Sequence, residues 1–198
     1  MKHIFFPLFA LLFVALVALN LTGCKNKVGE AAVEQKADSI ASETETTYFS
    51  AIDRFLVNEI GKHYAEGDFC VPIHLTVDVD ESDAENILVW GDFWVFNYHQ
   101  EGDTLNTVSG GSHPGLMHIR QTEKGFQVTA FDQVEDGSGN VQSAKRIFGD
   151  KYNHFQIIHS DDGKRERIRA EVLSAYVKDH NLSATMYKDY GWPVKKLR

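Results

Sequence analysis

Asp92 stands between Trp90 and Trp94 in the run ILVWGDFWVFNYHQ, residues 87–100, the most aromatic stretch of the chain. Strand alternation puts Leu88, Trp90, Asp92, Trp94, Phe96 and Tyr98 on one face. A carboxyl group held among indoles loses hydration, which raises its pKa and suits it to general acid or base work. Histidine is the natural partner for such a group. His99 lies seven residues further on, an odd separation that turns it to the opposite face. His118, in the later segment LMHIRQT, is the better partner, so the candidate pocket comprises Trp90, Asp92, Trp94, Tyr98 and His118. The competing reading makes the two indoles core and ties Asp92 to a turn or to a bulge beside Gly91.

Other constellations carry less. Cys70, His74, His113 and His118 are zinc-ligand types, but Cys70 and His74 are about 13 Å apart along an extended strand. No metal is expected there, and Cys70 reads as a partly buried thiol. Ser112-His113 sits in the run Gly110-Gly111-Ser112-His113-Pro114, which lacks the closing glycine of a nucleophile elbow and reads as a loop. Asp78, Asp80, Ser82 and Asp83, and separately Asp132, Asp136 and Asn140, miss the calcium-loop register and read as acidic turns. Neither a phosphate-cradling loop nor a dinucleotide fingerprint occurs, so no cofactor is expected.

Spacing defines the elements that must position these residues. Tyr48, Ile52, Phe55, Leu56, Ile60 and Tyr64 recur at helical steps until Gly67, predicting one long helix. Val71, Ile73, Leu75, Val77 and Val79 alternate with polar residues, a strand that Pro72 consigns to a sheet edge. The Trp90–Trp94 run is apolar on both faces and belongs at a sheet centre. Turns at Glu101-Gly102-Asp103 and Glu123-Lys124-Gly125, with the glycine-rich run between them, divide residues 104–134 into TLNTVS, LMHIRQT and FQVTAFDQV. The prediction is an antiparallel meander of about five strands. Ile147, Phe148, Tyr152, Phe155 and Ile158 return to helical spacing, with Gly149 as a break. Asp161 or Asp162 caps a last helix whose stripe is Ile168, Val172, Tyr176 and Val177. Lys164, Arg165, Arg167 and Arg169 read as its solvated face. The aromatic segment with Met186, Tyr187, Tyr190 and Trp192 is expected to dock on the domain.

Composition sets the outer limits. The chain has 198 residues, 43% hydrophobic and 12% aromatic, enough for one well-packed domain. Twenty Lys and Arg against 28 Asp and Glu give a net charge of −8, which opposes nucleic-acid binding. At the other end, Lys2 and His3 precede an uncharged apolar run, residues 4–19, and then Leu21-Thr22-Gly23-Cys24. This tetrad resembles the lipobox of bacterial lipoproteins. The resemblance implies cleavage before Cys24, acylation of Cys24 and attachment to a membrane through lipid. Lys25, where the enteric sorting rule has aspartate for inner-membrane retention, implies the outer membrane of a Gram-negative cell envelope. The expected organisation is a signal peptide at 1–23, a flexible tether at 24–46 and one globular domain at 47–198.

A long helix, an antiparallel sheet and C-terminal helices define the α+β class, with one sheet face covered by helices. That order of elements resembles the cystatin-like and NTF2-like superfamilies, in which a helix packs into a curved sheet and can enclose a pocket. A protease-inhibitor reading fails because Gln127-Val128 lies inside a strand. Two functions remain. One is a binding module whose aromatic face recognises a small molecule, glycan, peptide or envelope protein. The other is a pocket enzyme using Asp92 with His118, disfavoured because no complete catalytic constellation is matched.

Overall fold

The computed structural model describes residues 47–197; Cys24, the signal segment and the tether lie outside the described residues. The Thr47 hydroxyl accepts the Ser50 amide at 3.4 Å and so caps α1, Tyr48–Phe55. The long helix expected there is instead eight α-helical residues, a π turn at Leu56–Ile60 and a 3-10 turn at Gly61–His63. Gly61 sits at the change from the wider π turn to the tighter 3-10 turn and against the sheet: a Cβ there would stand 3.0 Å from the Cys70 sulfur and 3.3 Å from the Leu56 carbonyl.

Strands β1, Phe69–Asp80, β2, Ile87–Glu101, β3, Thr104–Thr122, and β4, Gly125–Gln133, pair antiparallel in succession. After the helices, β5, Met186–Lys188, adds parallel to Thr104–Asn106 at the start of β3, and β6, Lys195–Lys196, pairs with β5. The sheet order is β1-β2-β3-β5-β6, with β4 beside the other end of β3. The class is therefore α+β with an antiparallel-dominated sheet. As its proline requires, β1 lies at an edge.

Two features of the sheet differ from expectation. The glycine-rich run is not a loop: Gly110 through Gly115 lie inside the 19-residue β3, which joins two predicted strands into one. Its glycines mark close approaches, since a Cβ on Gly110 would run into the Val95 carbonyl and Phe96. The register also shifts between Asn97 and Tyr98, which pair with Ser109 and Thr107 and leave Val108 unpaired and half exposed. This bulge reverses the inside-outside phase of β3, which is why alternation read along the sequence splits there.

Helices cover both sheet faces, not one. On the first face Ile52 and Leu56 pack against Val89, Phe93, Met117 and Ile119. On the second lie α2, Asn140–Phe148, α3, Tyr152–Ser160, and α4, Asp162–Asp179. Gly149, at φ 54°, separates α2 from α3 and lets Phe148 stack on Phe155 with centroids 4.0 Å apart. The Asp161 side chain accepts the Lys164 amide at 2.9 Å and starts α4. No helix among the described residues is long and apolar enough to cross a membrane.

The glycine positions make a measurable contrast. Gly110→Ala combines a positive φ with a backbone collision and should lower unfolding free energy by about 2–4 kcal/mol. Gly102→Ala, at φ 61° with open space around it, should cost about 1 kcal/mol. Urea unfolding of both variants decides it; equal losses would show that close strand approach has no energetic weight.

Candidate functional site

The second sheet face presents Trp90, Asp92, Trp94 and Phe96 from β2 to the helices. Asp92 is fully buried. Its Oδ1 accepts the Ser112 hydroxyl from β3 at 2.5 Å. Its Oδ2 accepts Arg165 Nη1 from α4 at 2.7 Å and lies 2.9 Å from His159 Nδ1 of α3. Arg165 also donates to the His159 carbonyl at 3.1 Å and lays its guanidinium over the Trp94 ring at 4.5 Å. Burial alone would raise the Asp92 pKa; the hydrogen bonds from His159 and Ser112 and the Arg165 charge outweigh it and hold the carboxyl below the ordinary 3.8. The shift runs opposite to the one expected from desolvation among indoles, and Asp92 stays ionised, which unfits it for donating a proton.

One helical turn along α4 the pattern repeats. Arg169 forms a bidentate pair with Asp189, at 2.8 and 2.6 Å, donates through Nε to Tyr98 at 2.9 Å and through Nη2 to Thr107 at 2.8 Å. Its guanidinium lies 4.1 Å from the Phe96 ring centroid. Burial pushes the Tyr98 phenol up to about 12, so it remains neutral and accepts from Arg169. Four helix residues rise about 6.0 Å and two strand residues about 6.6 Å. That near match lets Arg165 and Arg169 step along α4 in time with Trp94 and Phe96 on β2. The β3 bulge completes the second station by placing Thr107, rather than Val108, opposite Tyr98.

A cleft of about 400 Å³ opens between α4 and the segment after β5. Trp94 and Phe96 contribute to it with Arg165, Glu166, Arg169 and Asp189, and Trp192 and Lys195 also line it. Trp192 is 66% exposed. Lys195 pairs with Glu166 at 2.7 Å. A second hollow, about 570 Å³, lies between α2 and α3 around Tyr152, Phe155, Gln156 and His159; among the described residues that line it, His159 alone carries an ionisable nitrogen or carboxyl.

The remaining candidates are dispersed. The Trp90 indole donates to the Ile147 carbonyl at 3.0 Å and carries Lys151 over its ring, pinning the end of α2. His118 pairs across from Leu88, lies 3.0 Å from Asn86 Oδ1 and 3.2 Å from Asp132 Oδ2, and is not a partner of Asp92. His99 is engaged with Asp68 at 2.6 Å. Ser112 and His113 alternate to opposite faces of β3, and His113 meets the Tyr64 hydroxyl at 3.0 Å on the far side. His74 stacks on Phe49, and Asp80 and Asp83 accept amides of Ser82 and Glu85 within their own turns. The arginines assigned to a solvated face are the largest departure: Arg165 is half-buried and Arg169 buried. A signal for them exists, since Arg165, Arg169, Val172 and Tyr176 share the four-three-four spacing of one helical stripe.

Compared with protein-family models, curated proteins and solved structures, the chain matches none.

The Asp92–Arg165 pair generates a double-variant experiment. Asp92→Leu and Arg165→Met each leave a charge without its partner and should cost roughly 3–5 kcal/mol, while the double variant should cost less than either. Because Asp92 is depressed in the folded state, its contribution is present above pH 3.8 and lost as pH falls through its lowered value. Urea unfolding at a series of acid pH values should therefore show a flatter pH dependence in Asp92→Leu. Simple additivity in the double variant, or an unchanged acid slope, contradicts the pairing.

Proposed function

We propose that the chain is a lipid-anchored cell-envelope module that binds a ligand in the cleft between α4 and the segment after β5, on a cystatin-like or NTF2-like arrangement of helix and sheet. The observation that carries this is the cleft itself, with an aromatic floor, charged side chains fixed by ion pairs, and an exposed indole at its rim. Such a surface is already organised, so little ordering entropy opposes binding. Cys24, acylated after cleavage of residues 1–23, is the proposed anchor to the outer membrane, with residues 24–46 as its tether.

The enzyme reading has weaker support. Asp92 is ionised, sealed and already holding three groups, and His118 is engaged elsewhere. His159 could serve as a base through Nε2 when Asp92 holds Nδ1, and Tyr152, Gln156 and Ser160 line the same hollow, but no hydrogen bond joins any of them to His159 in a nucleophile–base pair.

Anchor and cleft are tested separately. Metabolic labelling with a fatty-acid analogue should mark the parent chain and not Cys24→Ser; labelling that persists in Cys24→Ser, or is missing from the parent, rejects the anchor. In a thermal-shift screen of small molecules, glycans and peptides on the full chain, a ligand at about 100 times its Kd stabilises by about 2.7 kcal/mol. At the same ligand concentration the stabilisation should fall to about half in Trp192→Ala, and an undiminished shift there places binding outside the cleft.

A further inference from the structure

We infer that the ligand of the cleft is a neutral carbohydrate; this rests on the proposal that the cleft is a binding site. Charge is the first argument. Three cations, Arg165, Arg169 and Lys195, and three carboxylates, Asp162, Glu166 and Asp189, line the cleft. Each cation already holds a carboxylate, at 2.7, 2.6 and 2.7 Å. An anionic ligand would have to displace one of these partners, Asp92, Asp189 or Glu166, and leave it unpaired, at a desolvation cost that a neutral ligand avoids; Asp162, the lining carboxylate outside these pairs, is exposed in the first turn of α4, where water and the helix N-terminus already meet its charge.

The second argument is the kind of hydrogen bonding on offer. Carboxylates only accept, guanidinium and ammonium groups only donate, and a hydroxyl does both. Alternating planar acceptors and donors therefore suit neighbouring hydroxyls that each give one bond and take one. Two further atoms of lining residues have no partner, Trp94 Nε1 and Glu166 Oε1, although Trp94 is 2% exposed. Water does not reach either atom. Both atoms are closed to a ligand in this conformation, so the bonds on offer are those of the ion-paired side chains themselves.

The third argument is the rim. Trp192 exposes two thirds of its surface and Tyr190, two residues before it, is almost fully exposed. Trp192, which lines the cleft on a segment held at both ends by β5 and β6, is a platform for the apolar C–H face of a sugar ring; Tyr190 lies outside the lining. The volume, about 400 Å³, lies at the small end of the ligand range of roughly 300–1,000 Å³ and suits a short saccharide rather than a folded partner.

The test titrates the full chain with maltose, cellobiose, lactose, mannobiose and chitobiose, followed by indole fluorescence and calorimetry. Digalacturonate and a set of neutral, acidic and basic dipeptides are titrated in parallel. Saturable binding of at least one neutral disaccharide is expected, weakened about tenfold by Trp192→Ala and within about threefold of the parent in Trp192→Phe. Glu166→Gln, which removes an acceptor but keeps the shape, should also weaken it. Binding of dipeptides or digalacturonate that depends on Trp192, without binding of any neutral sugar, overturns the carbohydrate assignment and leaves the cleft as a ligand site. No Trp192-dependent binding of any probe overturns both.

Discussion

A fully buried carboxylate in the middle of an aromatic strand is the constraint on which the second layer of this fold depends. Asp92 cannot be left in an apolar interface without compensation. Ser112 satisfies one oxygen from within the sheet, and the other draws in His159 and Arg165 from two different helices. Once Arg165 is fixed, the helical repeat places Arg169 over Phe96. That second guanidinium in turn holds Asp189, and Asp189 carries the segment that frames the cleft. Site and fold are thus consequences of one buried charge.

Apolar packing and ion pairing divide the labour. Contacts such as Phe148 on Phe155, or Ile73 and Leu75 beneath the helices, make the layers adhere, with about 1.5–3 kcal/mol for each large side chain buried. They tolerate small slips. The arginine stations do not: moving α4 by one residue rotates it about 100° and takes both guanidinium groups off their rings. A buried ion pair adds little net stability over an apolar pair of the same size, so its contribution here is register. The two hydrophobic faces of β2 explain how one strand supports both layers, with Phe93 facing α1 and Trp94 facing α4.

Much of the sheet was legible in the sequence because strand alternation is local. Residues 71–77 and 87–98 carry it plainly, and Pro72 correctly marks an edge, but a bulge between Thr76 and Asp78 turns Val79, expected on the same face as Val77, toward α1. Asp92 stood out for the same reason, as a charge on an apolar face. What could not be read was the identity of its partners, because His159 and Arg165 lie 67 and 73 residues away and meet it only through packing. Arginine was also discounted as a solvent residue, although its stem and planar head suit a buried aromatic surface. The glycine-rich run misled in the opposite sense: glycine reads as a turn, yet here Gly110 and Gly111 allow Phe96 and Tyr64 to approach the strand. The bulge at Asn97 and Tyr98 added a change of phase that no periodicity argument survives.

The parallel pairing of β5 with the first residues of β3 has a kinetic meaning. Some eighty residues separate Thr104 from Met186, so a long stretch of chain must be closed before this pair can form, whereas the β1-to-β4 meander closes through short turns. Until then one edge of β3 stays open and the Arg169 charge has no carboxylate opposite it. Folding should accordingly run in two stages, a meander with its helices first and the docking of the distal segment second. The cleft is complete only after the second stage, so its geometry depends on the last part of the chain to be closed.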